Sequence, residues 1–311
     1  MGPSAAPSPF PGGAALVDGT VGWVLLAGDA ASRLGGALAW AHRAEAADLH
    51  LVVDDARAAG LVARRAAPFA PAPSVWGIDG ADLVAAEPTP APVPLPAPEA
   101  PELRALLTQA GLALVEEDGM VLGELLGLEV ARVVHGPDGP EMEVGVGRVD
   151  RELTEMAHAE LSDADRLARV VDIVGRERRP GAPPHPINQL VPERWLRASL
   201  VAEPSLVGAA ELVAVSSVVG RANLKETAVA TAVGTDRHGE SLVVTCSVGV
   251  DLDLVPAAAD DRAAHAPDAR LVLAVPARDA LGLTAELAAR LVDPARVLPV
   301  DGDWRIPWSP T

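Results

Sequence analysis

PERWLRASLVAEPSLVG, residues 192–208, and DRHGESLVVTCSVG, residues 236–249, carry the pattern on which the fold reading turns. Pro192 suits the first turn of a helix, where a missing N–H costs nothing. Leu196, Ser199 and Leu200 continue that helix. Strands are expected at 211–216, 228–234 and 241–248, with Asp236-Arg237-His238-Gly239 as the hairpin turn between the last two. The Asp- and Ala-rich stretch that follows reads as a linker. Residues 271–275, LVLAV, read as another buried strand, and a helix at 278–292 and a strand at 296–300 close the unit.

Working outward, residues 20–86 alternate apolar strands with amphipathic helices. Strands are expected at 21–26, 49–53 and 74–78, and helices at 34–46 and 56–66. This β-α-β-α-β order predicts a small, three-stranded, mostly parallel sheet. Residues 87–101, EPTPAPVPLPAPEAP, hold seven prolines and read as a semi-rigid linker. In 102–186 a short helix, Glu102 to Ala110, precedes period-two strands at 112–115, 128–134 and 142–146, then helices at 151–160 and 163–178. Leu167, Val170, Val171 and Val174 form one apolar stripe on the latter. Residues 1–19 are expected to be a flexible leader and 304–311 a C-terminal tail that folds back through Trp304. The fold class expected is α/β (α+β): a small three-stranded unit, a central hairpin region at 102–186, and a larger unit at 187–303.

Composition narrows the function classes. The 311 residues carry a net charge of −18, and 49% are hydrophobic. An acidic chain resists phosphate backbones unless its arginines cluster. The local clusters are small: Arg64-Arg65, and Arg176 with Arg178 and Arg179. Of 25 basic residues, Lys225 is the sole lysine, so a mechanism needing lysine has one candidate. No apolar run of about 18 residues predicts a membrane span. The lone Cys246 excludes an intrachain disulfide, and a cytoplasmic location is expected. The seven histidines lack metal-ligand spacing. Gly35-Gly36 lacks the remainder of a phosphate-loop pattern.

Within 187–303, Glu193, Leu196, Leu200, Pro204, Leu206 and Gly208 fit E-x-x-L-x-x-x-L-x-x-x-P-x-L-x-G, while Asp236, Gly239 and Val243-Val244 fit a hairpin leading into a V-V-V-E-x-K strand. This resembles the C-terminal nuclease domain of the NucS mismatch-endonuclease family, within the PD-(D/E)xK restriction-endonuclease-like superfamily. The resemblance covers about 100 residues. It implies a restriction-endonuclease-like core whose active site pairs carboxylates with a lysine around a divalent cation. At the Glu and Lys positions this chain has Thr245 and Ser247, and the strand expected to bear the catalytic Asp reads Ala228-Val229-Ala230-Thr231-Ala232. The helix glutamate, Glu193, remains.

The leading expectation is therefore a non-catalytic relative, a pseudoenzyme acting by binding or assembly, with no cofactor. A protein partner or homo-oligomer is favoured over nucleic acid. The alternative is a metal-dependent phosphodiesterase with a rebuilt site, in which Glu193, Lys225, Glu226, Asp251 and Asp253 converge and the four carboxylates hold Mg²⁺ or Mn²⁺. A second alternative is a thiol-based redox protein using Cys246. Glu124, Glu129 and Glu143 read as solvent-facing strand residues paired with Arg132 or Arg148.

Overall fold

A computed structural model describes residues 7–147, 151, 160–181, 185–221 and 223–306. It is an α/β protein with three sheets. In the first, β1 (Ser8–Phe10), β2 (Gly13–Asp18), β3 (Val21–Leu26), β4 (Asp48–Val53), β5 (Ser74–Asp79) and β6 (Asp82–Ala85) lie side by side in chain order. β3, β4 and β5 are parallel, connected through α1 (Leu34–Arg43) and α2 (Ala56–Ala66). These are the three expected strands, but the sheet has six. The expected leader supplies two of the additions, because Ala15 and Phe10 bury side chains against α1 and α2. The opposite face carries a stack of Trp23, His50 and Trp76, with Trp76 Nε1 donating to His50 Nδ1 at 3.0 Å.

Residues 87–101 have no regular structure up to Ala100 and lie pinned to α2. Thr89 N donates to the Gly60 carbonyl at 3.0 Å, and Arg64 donates to the Pro90 carbonyl at 2.8 Å. Pro101 opens α3 (Pro101–Gln109). The second sheet is antiparallel, in the order β10-β9-β8-β7: β7 (Ala113–Glu117), β8 (Met120–Leu125), β9 (Leu128–Gly136) and β10 (Gly139–Val144). α3 and α4 (Asp163–Glu177) pack on it, and Leu167, Val171 and Val174 bury the expected stripe. Ser162 caps α4 by accepting from Asp165 N. The expected helix at 151–160 lies outside the described residues apart from its two ends.

The third sheet runs β11 (Ala209–Val215), β12 (Ala230–Asp236), β13 (Ser241–Cys246), β14 (Arg270–Pro276) and β15 (Arg296–Val300), again in chain order. The first two pairings are antiparallel and the last two parallel. α5 (Pro192–Ala202) covers one face through Trp195, Leu196 and Leu200, against Ala232, Leu242, Val244 and Cys246. Val243, Leu271, Leu273 and Val275 point the other way, toward α6 (Leu254–His265) and α7 (Gly282–Ala288). α6 replaces the expected linker. It is buried nearly all round, so it lacks the one-sided apolar stripe by which a surface helix is read.

α6 also joins the two ends of the chain. Leu254, Val255 and Ala258 belong to the same apolar cluster as Val24, Leu34, Leu51 and Val62. Residues 20–86 and 187–303 thus share one core rather than closing separately on either side of the proline-rich segment. Trp304 folds back edge-on against Trp195, and Trp195 Nε1 donates to the Ile306 carbonyl at 3.2 Å.

Candidate functional site

The C-terminal ends of β11 and β13 and the N-terminal end of β12 meet at one edge of the third sheet. Thr231 and Thr245 are direct cross-strand partners there, with their hydroxyl oxygens 3.1 Å apart. Thr231 also donates to Asp261 of α6. Asp261 accepts further from Ser217 Oγ at 2.9 Å and from Val218 N at 2.8 Å. All three of Thr231, Thr245 and Asp261 are fully buried. Burial raises the Asp261 carboxyl above the usual range, with the three donors pulling against it. Two residues beyond Thr245, just past the end of β13, Ser247 donates to Asp251 Oδ2 at 3.2 Å.

The face toward α5 is charged instead. Glu124 of β8 is buried and accepts from Arg194 Nη1 at 2.9 Å and Arg197 Nη2 at 2.5 Å. Arg194 Nη2 binds both oxygens of Glu117, at 2.7 and 2.8 Å. Arg197 Nη1 donates to the Val215 carbonyl at 3.0 Å, and Glu193 pairs with Arg221. Arg178 lies over the Trp195 ring at 4.5 Å and donates to the carbonyls of Leu126, Ile187, Leu190 and Val191. Burial pushes its pKa down to about 9, which leaves it charged at neutral pH.

The candidates read from sequence do not converge as one site. Glu226, Asp251 and Asp253 line a cavity of about 770 Å³ together with Asp29, Arg64 and Arg65, but Glu193 and Lys225 do not line it. Asp251 accepts from Asp253 N, and Asp253 accepts from Gly35 N of α1 at 2.8 Å. Burial raises both carboxyls, Asp253 to about 6. Lys225 is exposed, and its backbone N–H donates to Asn223 Oδ1. Among the described residues, no three His, Cys, Asp or Glu are grouped so as to hold a metal ion. Cys246 is buried in the apolar cluster beneath α5, and burial pushes its thiol up to about 12. Such a thiol is held protonated at neutral pH, the setting of a packing residue rather than a nucleophile.

Of the two arginine clusters, Arg64-Arg65 is drawn inward, whereas Arg176 and Arg179 of the other stay at the surface. Arg64 and Arg65 bind Asp260, Arg176 binds Asp172 and Arg178 is buried. Glu143 pairs with Arg132 at 2.7 Å as the strand register predicts, and Glu129 pairs with Arg151 at 2.8 Å. Glu124 and Glu129 depart from the expectation of solvent-facing residues, Glu124 being buried and Glu129 largely so. A register shift between Gly123 and Glu124 breaks the alternation and goes with a carboxylate turned inward. The sequence reading also missed Asp261; its signal was the charged triplet Asp260-Asp261-Arg262 inside an alanine-rich run.

No family model, curated protein or solved structure matches the chain. Among the described residues no helix is long and apolar enough to cross a membrane.

Proposed function

We propose that this chain is a non-catalytic relative of the restriction-endonuclease-like proteins, acting in the cytosol by binding or assembly. The observation that carries the reading is Thr245, an uncharged buried hydroxyl where the resemblance implies a metal-binding carboxylate, bonded to Thr231 on the strand expected to bear the catalytic Asp. Ser247 likewise supplies a hydroxyl in place of the lysine. A hard divalent cation needs anionic oxygens, and threonine and serine bring none. The order α5-β11-β12-β13-α6-β14, with helices on both faces, supports the likeness to that core. A protein partner or a second copy is favoured over nucleic acid, because the chain is acidic and Arg64, Arg65 and Arg178 are engaged internally.

The test is to incubate the purified chain with supercoiled DNA and Mg²⁺ or Mn²⁺ while following its melting temperature against each ion. Neither nicking nor a rise in midpoint is expected, since a cation held by the folded state would stabilise it. Nicking that disappears in Asp251→Ala overturns the reading in favour of a phosphodiesterase built around Glu226, Asp251 and Asp253, which line one cavity.

A further inference from the structure

The first sheet is clothed on one side only. Val24, Leu26, Leu51, Val53 and Val75 point into the core shared by α1, α2 and α6. Trp23, Leu25, His50, Val52, Trp76 and Ile78 alternate with them, point the other way and are half-buried. Register sets Leu16 beside Trp23 and Ile78 beside Leu83, so β2 and β6 extend the same face. A groove of about 380 Å³ lies there, walled by Leu16, Trp23, Leu25, Val52 and Ile78. None of those five side chains belongs to a buried apolar cluster of the described residues.

The topology accounts for the bare side. Crossovers of one hand between strands laid down in one direction, β3 to β4 to β5, return on the same face, and α1 and α2 both do so. Parallel strands are ordinarily apolar on both faces because helices cover both. Here the open face keeps that apolar character, and the rings of Trp23, His50 and Trp76 stack across the three parallel strands. What the sheet lacks is its second helical layer.

Charge decides what such a layer must carry. The six strands hold no lysine or arginine, and their four formal charges are the exposed carboxylates of Asp18, Asp48, Asp79 and Asp82. Register puts Asp18 and Asp48 on either side of Val21, at one end of the open face. A second copy would set acid against acid, with a net charge of −18 on each chain. An apolar stripe flanked by basic residues complements both the floor and its rim. A helix of about 14 residues, about 21 Å long, matches the length of a strand of about 20 Å.

We propose that the open face of the first sheet, centred on Trp23, Leu25, Val52, Trp76 and Ile78, docks an amphipathic helix of another protein, apolar on one side and flanked by Lys and Arg. The proposal rests on the binding reading above and names its surface and the chemistry of its partner.

The probe is a peptide of about 18 residues, leucine and lysine in the pattern of an amphipathic helix, with a leucine–glutamate peptide of the same pattern as counterpart. Each is titrated into the full chain and followed by calorimetry and by tryptophan fluorescence, since Trp23 and Trp76 lie on the face. Saturable one-to-one binding of the lysine peptide with a shift in emission, and no binding of the glutamate peptide, is the expected result. Ile78→Asp places a carboxylate on the face itself, and Leu83→Asp places one on its edge strand, where the side chain is already 47% exposed. Both substitutions add negative charge, so attraction by charge alone would hold or grow. Docking on the face should instead weaken about tenfold, with the melting temperature of the Leu83→Asp chain unchanged. The proposal is overturned if the lysine peptide does not bind the parent chain, if the glutamate peptide binds as well, or if both variants bind like the parent. A dimer in light scattering that either variant splits also overturns it and gives the face to a second copy. The DNA-nicking assay separates the two levels: peptide failure with intact DNA removes the docking face alone, whereas metal-dependent nicking removes the non-catalytic reading beneath it.

Discussion

The two faces of the third sheet solve the same problem in opposite ways. Both bury polar groups at the same edge, beneath α6 on one side and α5 on the other. Toward α6 the network is mostly neutral, two hydroxyls and a backbone amide gathered on the single carboxylate of Asp261, with Thr245 joined through Thr231. Toward α5 it is fully ionic, with Glu117, Glu124 and Glu193 opposed by Arg194, Arg197 and Arg221. The difference shows where this scaffold tolerates charge. The hydroxyl side gathers its hydrogen bonds on one carboxylate, while the ionic side retains unpartnered donors among the described residues.

Removing one partner should cost most on the ionic face. Glu124→Ala leaves the buried Arg197 guanidinium without a carboxylate and strips Arg194 of one of its two, and is expected to destabilise the chain by about 4 kcal/mol in denaturant titration. Asp261→Ala strands two hydroxyls and an amide without burying an unpaired charge, and about 3 kcal/mol is expected. If Asp261→Ala proves the costlier of the two, the contrast between the faces fails.

Asp253 sharpens the comparison with the opposite sign. Its folded-state pKa, about 6, lies above the usual carboxylate value. Its contribution to stability is therefore complete below about pH 4 and is lost as pH rises through about 6. Asp253→Asn keeps an acceptor for Gly35 N and should stabilise the chain by about 2 kcal/mol at pH 8. Melting curves of the two proteins should draw together near pH 4. Arg176→Ala sets the lower end of the scale. It breaks an exposed i,i+4 pair with Asp172 and should change stability by at most about 0.5 kcal/mol.

Much of this architecture can be read in the residues, and the failures have physical causes. The parallel strands β3, β4 and β5 appear as apolar runs separated by helical patterns. The DRHG turn and the strands around it fall within two residues of their predicted bounds. β8 was missed because MVLGEL is buried at nearly every position and shows no alternation. Its turns, Asp118-Gly119 and Leu126-Gly127, take positive φ at both residues, and the first is a strong hairpin signal that went unused. At the site, Thr245 and Ser247 come from the resemblance, which sets them at the positions of its Glu and Lys. Asp261 did not, since it sits on a helix whose burial erased the pattern that would have revealed it. The Glu124 pairing depends on residues about 70 positions apart and on a local register shift, neither of which a linear pattern encodes.

The shared core under α1, α2 and α6 has a consequence for the proline-rich segment that crosses outside it. Val93 and Leu95 are exposed there, 86% and 67% respectively, within reach of a protease. A cut at that point severs the backbone without parting the halves, because the first sheet and α6 hold each other through side chains. Fragments 1–93 and 94–311, expressed separately, should behave as a split protein that regains its shape when the pieces are mixed.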